Sequence, residues 1–221
     1  MKNSITLKHP LQGHIVATLR YQEYARFKDI IPIKTDTNVF SYHLKVLTRM
    51  GVIKKVQDTY TLGQNGIIHI NNLIKNDTRF PLTVCAVLLQ NSDGDILLTR
   101  QSQQPYINTL SLPMSFVDGV DSTIETTAHN IVTQQIGLQA ASSTHVGDAY
   151  VRVTTEGQQL STTLVHVFRV MSDDVPPADF TWVQPHKLAS LRLTPGMESI
   201  ITRSFFGDAY FFEEFEHSWY S

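Results

Sequence analysis

The 221-residue sequence has a single cysteine, Cys85, so it cannot form an internal disulfide. It also lacks an apolar run of the ~18 residues that a membrane-spanning helix requires. The first ten residues, MKNSITLKHP, have no apolar core of the kind that defines a signal peptide, and none of the nine histidines pairs with Cys85 in a zinc-binding spacing. These absences predict a cytoplasmic protein without a membrane partner and without a metal site.

Charged residues are few, at 17% of the chain, and they are unevenly distributed. Residues 1 to 79 contain 12 Lys or Arg and 5 Asp or Glu, a net charge of +7. The remaining residues contain 6 Lys or Arg and 15 Asp or Glu, a net charge of −9. This asymmetry favours a nucleic-acid-binding module joined to a domain with another task, although basic surface can also be merely solvated.

The spacing of apolar residues in the basic half predicts three helices, over Leu11–Leu19, Tyr24–Ile31 and Thr37–Met50. Pro32 ends the second helix, because proline lacks an amide hydrogen and restricts the residue before it. Asp36 or Thr35 is expected to cap the third helix and Gly51 to end it. A fourth helix is predicted over residues 66–75.

The third predicted helix has two contrasting faces. Its core stripe consists of Phe40, Leu44, Leu47 and Met50. Its other face carries polar, aromatic and cationic side chains suited to phosphates and base edges: Asn38, Ser41, Tyr42, Lys45 and Arg49. No acidic residue occurs from position 37 to 56, and His43, at the margin of the stripe, is predicted to be a packed histidine rather than a ligand.

The segment Val52–Leu62 is predicted to form two short strands joined at Gln57-Asp58, which places Lys54 and Lys55 beside the third helix. Three helices followed by such a hairpin make a winged helix-turn-helix, an α+β domain.

Residues 9–75 resemble the winged-helix modules of small bacterial and archaeal transcription regulators. The similarity is carried by Phe40-Ser-Tyr-His-Leu-Lys-Val-Leu, Met50-Gly-Val-Ile-Lys-Lys and Tyr60-Thr-Leu. It implies that the third helix enters the major groove of double-stranded DNA and that the hairpin contacts the backbone. The alternative is a winged helix used only for protein contact or dimerisation.

The acidic half is predicted to contain alternating strands and helices. Turns at Asp93-Gly94 and Glu156-Gly157 join its two hairpins, and a last helix begins with Thr194 as cap and Pro195 in the first turn. The predicted strands are Leu82–Leu89, Ile96–Arg100, Gly147–Thr154, Ser161–Met171 and Phe180–Val183, with a helix over Ser122–Ile136. This order predicts a mixed sheet that is covered on its faces.

Residues 80–207 resemble the Nudix fold. The landmarks are Leu112-Pro113, Phe116-Val117-Asp118, a helix closing at Gly137-Leu138, and Leu193-Thr-Pro-Gly before the last helix. The whole chain is therefore interpreted as an α+β winged helix domain followed by an α/β Nudix-like mixed-sheet sandwich. The expected divisions are 1–75 for the winged helix, 76–80 for a linker, 81–207 for the Nudix-like domain and 208–221 for an aromatic, acidic tail.

The catalytic glutamates of that family are missing. Nudix hydrolases carry Arg-Glu-x-x-Glu-Glu-x-Gly on the helix, where glutamates bind the Mg²⁺ that activates water. Aligned on Gly137, the glutamate positions hold Ile131, Gln134 and Gln135, so the sequence predicts no catalytic residue and no cofactor. The alternative is a divergent Mg²⁺-dependent hydrolase of nucleoside diphosphate derivatives that uses displaced acids: Asp118, Asp121, Glu125 or Asp148.

What remains predicted for this domain is a ligand-binding pocket without catalytic residues. Arg100 and Arg152 are candidate ligands for a phosphate group, although each could instead form a surface ion pair. Regulators that join a Nudix-like sensor to a winged helix imply a nucleotide-type effector such as ADP-ribose. They carry the two domains in the opposite order, so the implied effector is an analogy only.

Residues 205–220 hold 8 of the chain's aromatic side chains. This segment is expected to pack on its own domain or to dock between domains or on a second subunit, and a homodimer is favoured because winged-helix regulators read paired half-sites. The leading interpretation is a DNA-binding transcription regulator whose Nudix-like domain is catalytically silent and serves effector binding or dimerisation.

Overall fold

The computed structural model describes residues 5–74, 81–117, 123–139, 142–174, 177–206 and 210–219. The chain divides into two compact units. Unit 1 comprises residues 1–78 together with 101–108, and unit 2 comprises residues 79–100 and 109–221. None of the described helices is long and apolar enough to cross a membrane. The expected linker at 76–80 lies outside the described residues.

Unit 1 consists of helices and a small antiparallel sheet. Its core contains fully buried Ile15, Leu19, Phe40 and Leu47. The sheet has the strand order β1-β3-β2. The elements are α1 (Pro10–Arg20), β1 (Ala25–Arg26), α2 (Phe27–Ile30), α3 (Thr37–Arg49), β2 (Ile53–Val56), β3 (Thr59–Leu62) and α4 (Gln64–Ile74).

Local signals place α3 where the sequence predicted it. The Asp36 side chain accepts hydrogen bonds from the backbone N–H groups of Asn38 and Val39, so Asp36 rather than Thr35 is the cap. Gly51 follows the helix with φ +67°, a left-handed conformation that glycine adopts without strain. The predicted turn at Gln57-Asp58 also joins β2 to β3.

Two predictions in unit 1 are wrong in detail. Met50 is 36% exposed, because it is the residue after the last helical turn and leaves the core stripe. The second helix does not begin at Tyr24. Ala25 and Arg26 instead pair with Tyr60 and Thr59 of β3, and the helix is confined to the four residues of α2.

Unit 2 is built on a mixed eight-stranded sheet, as predicted, with the path β10-β5-β4-β9-β8-β11 and two short strands beside it. β4 is parallel to β9, and β11 is parallel to β8, whereas the other pairs are antiparallel. The strands are β4 (Leu82–Gln90), β5 (Ile96–Arg100), β6 (Leu110–Ser111), β7 (Met114–Phe116), β8 (Ser143–Thr155), β9 (Gln158–Met171), β10 (Phe180–Val183) and β11 (Phe211–Ser218).

Helices cover both faces of this sheet. On one face, α5 (Ile124–Asn130) continues into a π-helical segment (Ile131–Gln135) that packs on β4 and β9 through Ile131 and Val132. A 3₁₀ helix (Pro185–Ser190) precedes α6 (Met197–Phe206), which lies against β8 and β11 on the other face.

The predicted cap of the last helix is wrong. Helix α6 begins at Met197, two residues beyond Pro195. The buried hydroxyl of Thr194 is instead 2.7 Å from the hydroxyl of Thr109. A tertiary hydrogen bond has therefore taken the side chain that a local reading assigns to the helix.

The aromatic segment packs on its own domain, which was one of the two expectations for it. Residues 211–218 form β11, and its buried Phe211 lies beside Gly147 of β8. A Cβ atom added at Gly147 would approach the Phe211 ring to 2.2 Å. Glycine at position 147 is therefore required by the close approach of that ring.

Replacing Gly147 with alanine should reduce the free energy of unfolding of unit 2 by about 1–3 kcal/mol, the usual cost of overpacking. Trp182 and Trp219 are the only two tryptophans and both lie in unit 2, so urea unfolding followed by tryptophan fluorescence reports this unit.

The matched background is Phe211→Ala, which removes the clashing ring. In that background Gly147→Ala should cost clearly less, so the two substitutions are non-additive. Additive losses would contradict the proposed contact.

Candidate functional site

The predicted DNA contacts lie on α3 and β2 of unit 1. Those on α3 and β2 that are exposed are Asn38, Tyr42, Lys45, Arg49, Lys54 and Lys55, and Ser41 is partly buried. Because α3 leads directly into the β2–β3 hairpin, β2 lies next to α3, and the consecutive Lys54 and Lys55 point to opposite sides of that strand.

A groove of about 500 Å³ lies between α3 and this hairpin. Ser41, Lys45 and Arg49 line it from α3, and Lys55 and Tyr60 line it from the two strands. With Thr48 included, three cations, two hydroxyls and a phenol line this cavity together with Phe27 and Leu44, and the polar groups among them suit phosphate and base-edge contacts.

His43 is outside this groove. It is 7% exposed and stacks on His9 with ring centroids 4.1 Å apart. Burial, with a smaller contribution from His9, lowers the pKa of His43, which favours the neutral imidazole. The prediction of a packed histidine is confirmed.

The helix that should carry the Nudix glutamates has a different chemistry. Ile131 is fully buried in the apolar cluster beneath the helix. Gln134 and Gln135 are exposed, and the Gln135 side chain donates to the backbone oxygen of Met114 at 3.4 Å. None of these three side chains carries a carboxylate that could hold Mg²⁺.

Two of the displaced acids, Asp118 and Asp121, lie outside the described residues. Glu125 is exposed in the first turn of α5. A backbone hydrogen bond at this helix end and one from Thr123 hold its pKa below the usual range. This is the ordinary role of an acid at a helix N-terminus.

Arg100 and Arg152 do not converge. They lie on β5 and β8, and β4 and β9 separate those strands. Arg152 forms ion pairs with Glu214 and with Glu216, the second at 3.4 Å. These two carboxylates of β11 satisfy its charge.

Unit 2 also contains a polar cluster that the sequence did not predict. Asp148 Oδ1 is 2.8 Å from His145 Nε2 and 2.6 Å from His166 Nδ1. The Tyr210 hydroxyl donates a hydrogen bond to the other oxygen, Oδ2. The side chains of His145, Asp148 and His166 are 25%, 17% and 14% exposed, so the cluster is partly open to solvent.

Asp148 is the centre of this cluster. Burial by itself would raise its pKa, but the hydrogen bonds from Tyr210, His166 and His145 outweigh burial and hold the pKa below the usual value. The same hydrogen bond raises the pKa of Tyr210 to about 12, because ionisation would place a second negative charge against the carboxylate.

Only Asp148 of this cluster was singled out in the sequence. A signal for the rest existed, because the Glu156-Gly157 turn makes strands of 143–155 and 158–171 partners and so brings His166 near Asp148. The exact partner of Asp148 depends on a bulge at Leu160 that the turn does not reveal.

The layers define unit 2 as an α/β sandwich on a mixed sheet. The mutator MutT protein from Bacillus halodurans has a TM-score of 0.51 with this chain at 15% identity, over 62% of this chain and 90% of that one. Unit 2 accordingly has a Nudix-like fold, and this likeness concerns the fold alone.

Two further solved structures are similar at a lower level. The Nudix domain of Shewanella oneidensis NrtR complexed with ADP ribose has a TM-score of 0.48 at 14% identity, over 61% of this chain and 95% of that one. The same organism's NrtR complexed with a 27mer DNA has a TM-score of 0.47 at 14% identity, over 55% and 59%. No family model and no curated protein matches the sequence.

Replacing Asp148 with asparagine should make the free energy of unfolding of unit 2 depend less on pH in the acid range. The hydrogen bonds to Asp148 hold its pKa in the folded state below the ordinary value of 3.8. The stabilisation is therefore complete above about pH 4 and is lost as the pH falls through the folded pKa. Urea unfolding followed by tryptophan fluorescence at several acidic pH values measures the difference.

The wild type should lose more stability than Asp148→Asn over this acid range. The exposed Asp179→Asn variant is the control, and its profile should follow the wild type. Parallel profiles for wild type and Asp148→Asn would contradict the assignment.

Proposed function

We propose that this chain is a DNA-binding transcription regulator, with unit 1 as a winged helix-turn-helix and unit 2 as a catalytically silent Nudix-like domain. The observation that carries the proposal is the groove between α3 and the hairpin, which Lys45, Arg49 and Lys55 line. The order of three helices, a hairpin and a following helix supports the winged-helix assignment.

The two elements of the groove would make different contacts with DNA. The exposed side of α3 offers Asn38, Ser41 and Tyr42, which can make hydrogen bonds to base edges. Lys54 and Lys55 on the hairpin supply positive charge without sequence preference. Since no acidic residue occurs from 37 to 56, this segment adds no carboxylate to repel a phosphate backbone.

The partners of the regulator belong to the same proposal. A homodimer would present two α3 helices to paired half-sites, one on each side of a two-fold axis. Unit 2 would then serve as the dimerisation or effector-binding part, with a nucleotide-type effector as the class of ligand. Phosphate binding by Arg100 and Arg152 stays a prediction, and for Arg152 it requires a phosphate to displace Glu214 and Glu216.

DNA binding is tested by selecting bound sequences from random duplex DNA and then measuring affinity against salt concentration. The logarithm of the affinity should fall steeply with the logarithm of salt. Lys54→Ala and Lys55→Ala should each reduce that slope by about 1 and weaken all sequences alike, as expected for a phosphate contact.

Lys45→Ala should weaken the selected sequence more than unrelated DNA if α3 reads bases. Lys187→Ala is the matched control, because Lys187 is an exposed lysine of unit 2 outside the groove. No binding at low salt, or equal effects of Lys187→Ala and Lys55→Ala, would contradict the proposal.

The alternative of a divergent hydrolase gives an opposite result. Incubation with a panel of nucleoside diphosphate derivatives and Mg²⁺ should release no phosphate or nucleotide above a buffer control. Mg²⁺-dependent turnover that is abolished by Glu125→Gln or Asp121→Asn would establish the hydrolase instead.

A further inference from the structure

His145, Asp148 and His166 combine the ligand types of a transition-metal site, and no other described group of His, Cys, Asp and Glu converges in this way. We infer that these three residues bind one divalent ion of the Zn²⁺ class. The ligands are His145 Nε2, His166 Nδ1 and a carboxylate oxygen of Asp148. The site lies in unit 2 and does not depend on the proposed DNA-binding role of unit 1.

The three ligand atoms converge on one point. One ligand atom from each of the three residues lies within 4.8 Å of the other two. The nitrogens are now 2.6 and 2.8 Å from Asp148 Oδ1. Around a tetrahedral Zn²⁺, with bonds of about 2.0–2.1 Å, ligand atoms stand roughly 3.3 Å apart. Each ring nitrogen therefore has to withdraw from Oδ1 by about 0.5–0.7 Å, and the two nitrogens have to stand roughly 3.3 Å from each other, so both side chains have to rotate when the ion binds.

The ligand types favour a transition metal. Two imidazoles and one carboxylate suit Zn²⁺ and related transition metals, whereas Mg²⁺ favours oxygen ligands. This chemistry differs from that of the missing glutamates. The partial exposure of all three side chains, between 14% and 25%, leaves a path for the ion and a fourth position for water.

Neighbouring side chains hold two of the ligands in position. The Tyr210 hydroxyl binds Asp148 Oδ2, which fixes the carboxylate while Oδ1 faces the two rings. His145 stacks on Phe168 at 4.8 Å with an interplanar angle of 14°. Such surrounding contacts commonly fix the orientation of metal ligands.

The nitrogens that face Asp148 are Nε2 of His145 and Nδ1 of His166. Each of them must be unprotonated to offer a lone pair to the ion. His145 must carry its proton on Nδ1 and His166 on Nε2 when the ion is bound. In the metal-free cluster both facing nitrogens can donate to Asp148, so an entering ion takes the place of those hydrogens. The carboxylate remains with the ion to offset part of its charge.

Metal binding is measured on the full chain after dialysis against a chelator. Zn²⁺ is titrated in competition with a chromophoric chelator, and Co²⁺ is used for its ligand-field absorption. We expect one Zn²⁺ per chain at high affinity, a Co²⁺ spectrum of low coordination number, and no competition from millimolar Mg²⁺.

The variants separate ligands from supporting residues. His166→Ala and Asp148→Asn should abolish the stoichiometric Zn²⁺ site, whereas Tyr210→Phe should weaken it by about 10-fold. His186→Ala is the matched control, since His186 is an exposed histidine outside the cluster, and it should bind as the wild type does. Asp148→Asn preserves side-chain volume and carries the test if His166→Ala fails to fold.

Absence of stoichiometric Zn²⁺ binding to the wild type would overturn the inference. Equal loss in His186→Ala and His166→Ala would also overturn it, because it would indicate adventitious surface histidines. A preference for Mg²⁺ over Zn²⁺ would do the same. None of these results depends on DNA, so failure here leaves the DNA-binding test independent.

Discussion

The register of the β8–β9 hairpin determines how unit 2 is assembled. β9 pairs with β4 and β8 pairs with β11, so these two strands connect the centre of the sheet to its last strand. A slip of one residue would turn every side chain of a strand to the other face. Two bulges set the register: Leu160 is left unpaired in β9, and Val146 is left unpaired in β8. The bulge at Leu160 places His166 opposite Asp148, whereas the parallel register of β11 on β8 places Phe211 beside Gly147.

Local structure could be predicted wherever a local cause decided it. The Asp36 cap, Gly51 and the Glu156-Gly157 turn set element boundaries through contacts within a few residues. The errors occurred where a distant partner decided. β3 draws Ala25 and Arg26 into a strand, and Thr109 engages Thr194 from 85 residues away.

The His–Asp–His cluster could not be placed from the sequence because two bulges decide which way its side chains face. Counting back regularly from the turn places Asp148 opposite Val165, with His166 on the other face, and only the bulge at Leu160 corrects this. In a regular strand His145 and Asp148, three residues apart, would also point in opposite directions, and the bulge at Val146 turns them to the same side. The bulge at Leu160 has no adjacent glycine or proline, whereas Gly147 directly follows Val146, and a glycine inside a strand is one signal of a bulge.

Position 131, where the Nudix motif aligned on Gly137 has a glutamate, is part of the apolar packing of unit 2. Ile131 contributes to the apolar cluster with Phe168, the residue on which His145 stacks. A carboxylate at position 131 would be buried without an identified partner, which proteins avoid. The core and the neighbouring cluster are therefore built around a side chain that cannot bind Mg²⁺, so a glutamate placed at position 131 would disturb this packing.

The hydrogen bond from Tyr210 to Asp148 spans 62 residues, and this separation has a consequence for biosynthesis. Strands β8 and β9 leave the ribosome as neighbours and can pair early, because the loop between them is short. The residue that orients Asp148 arrives only with β11, after the 3₁₀ helix and α6. During synthesis the two histidines and Asp148 can therefore meet before their tyrosine is available, and the arrival of β11 marks the point at which the cluster takes its final form.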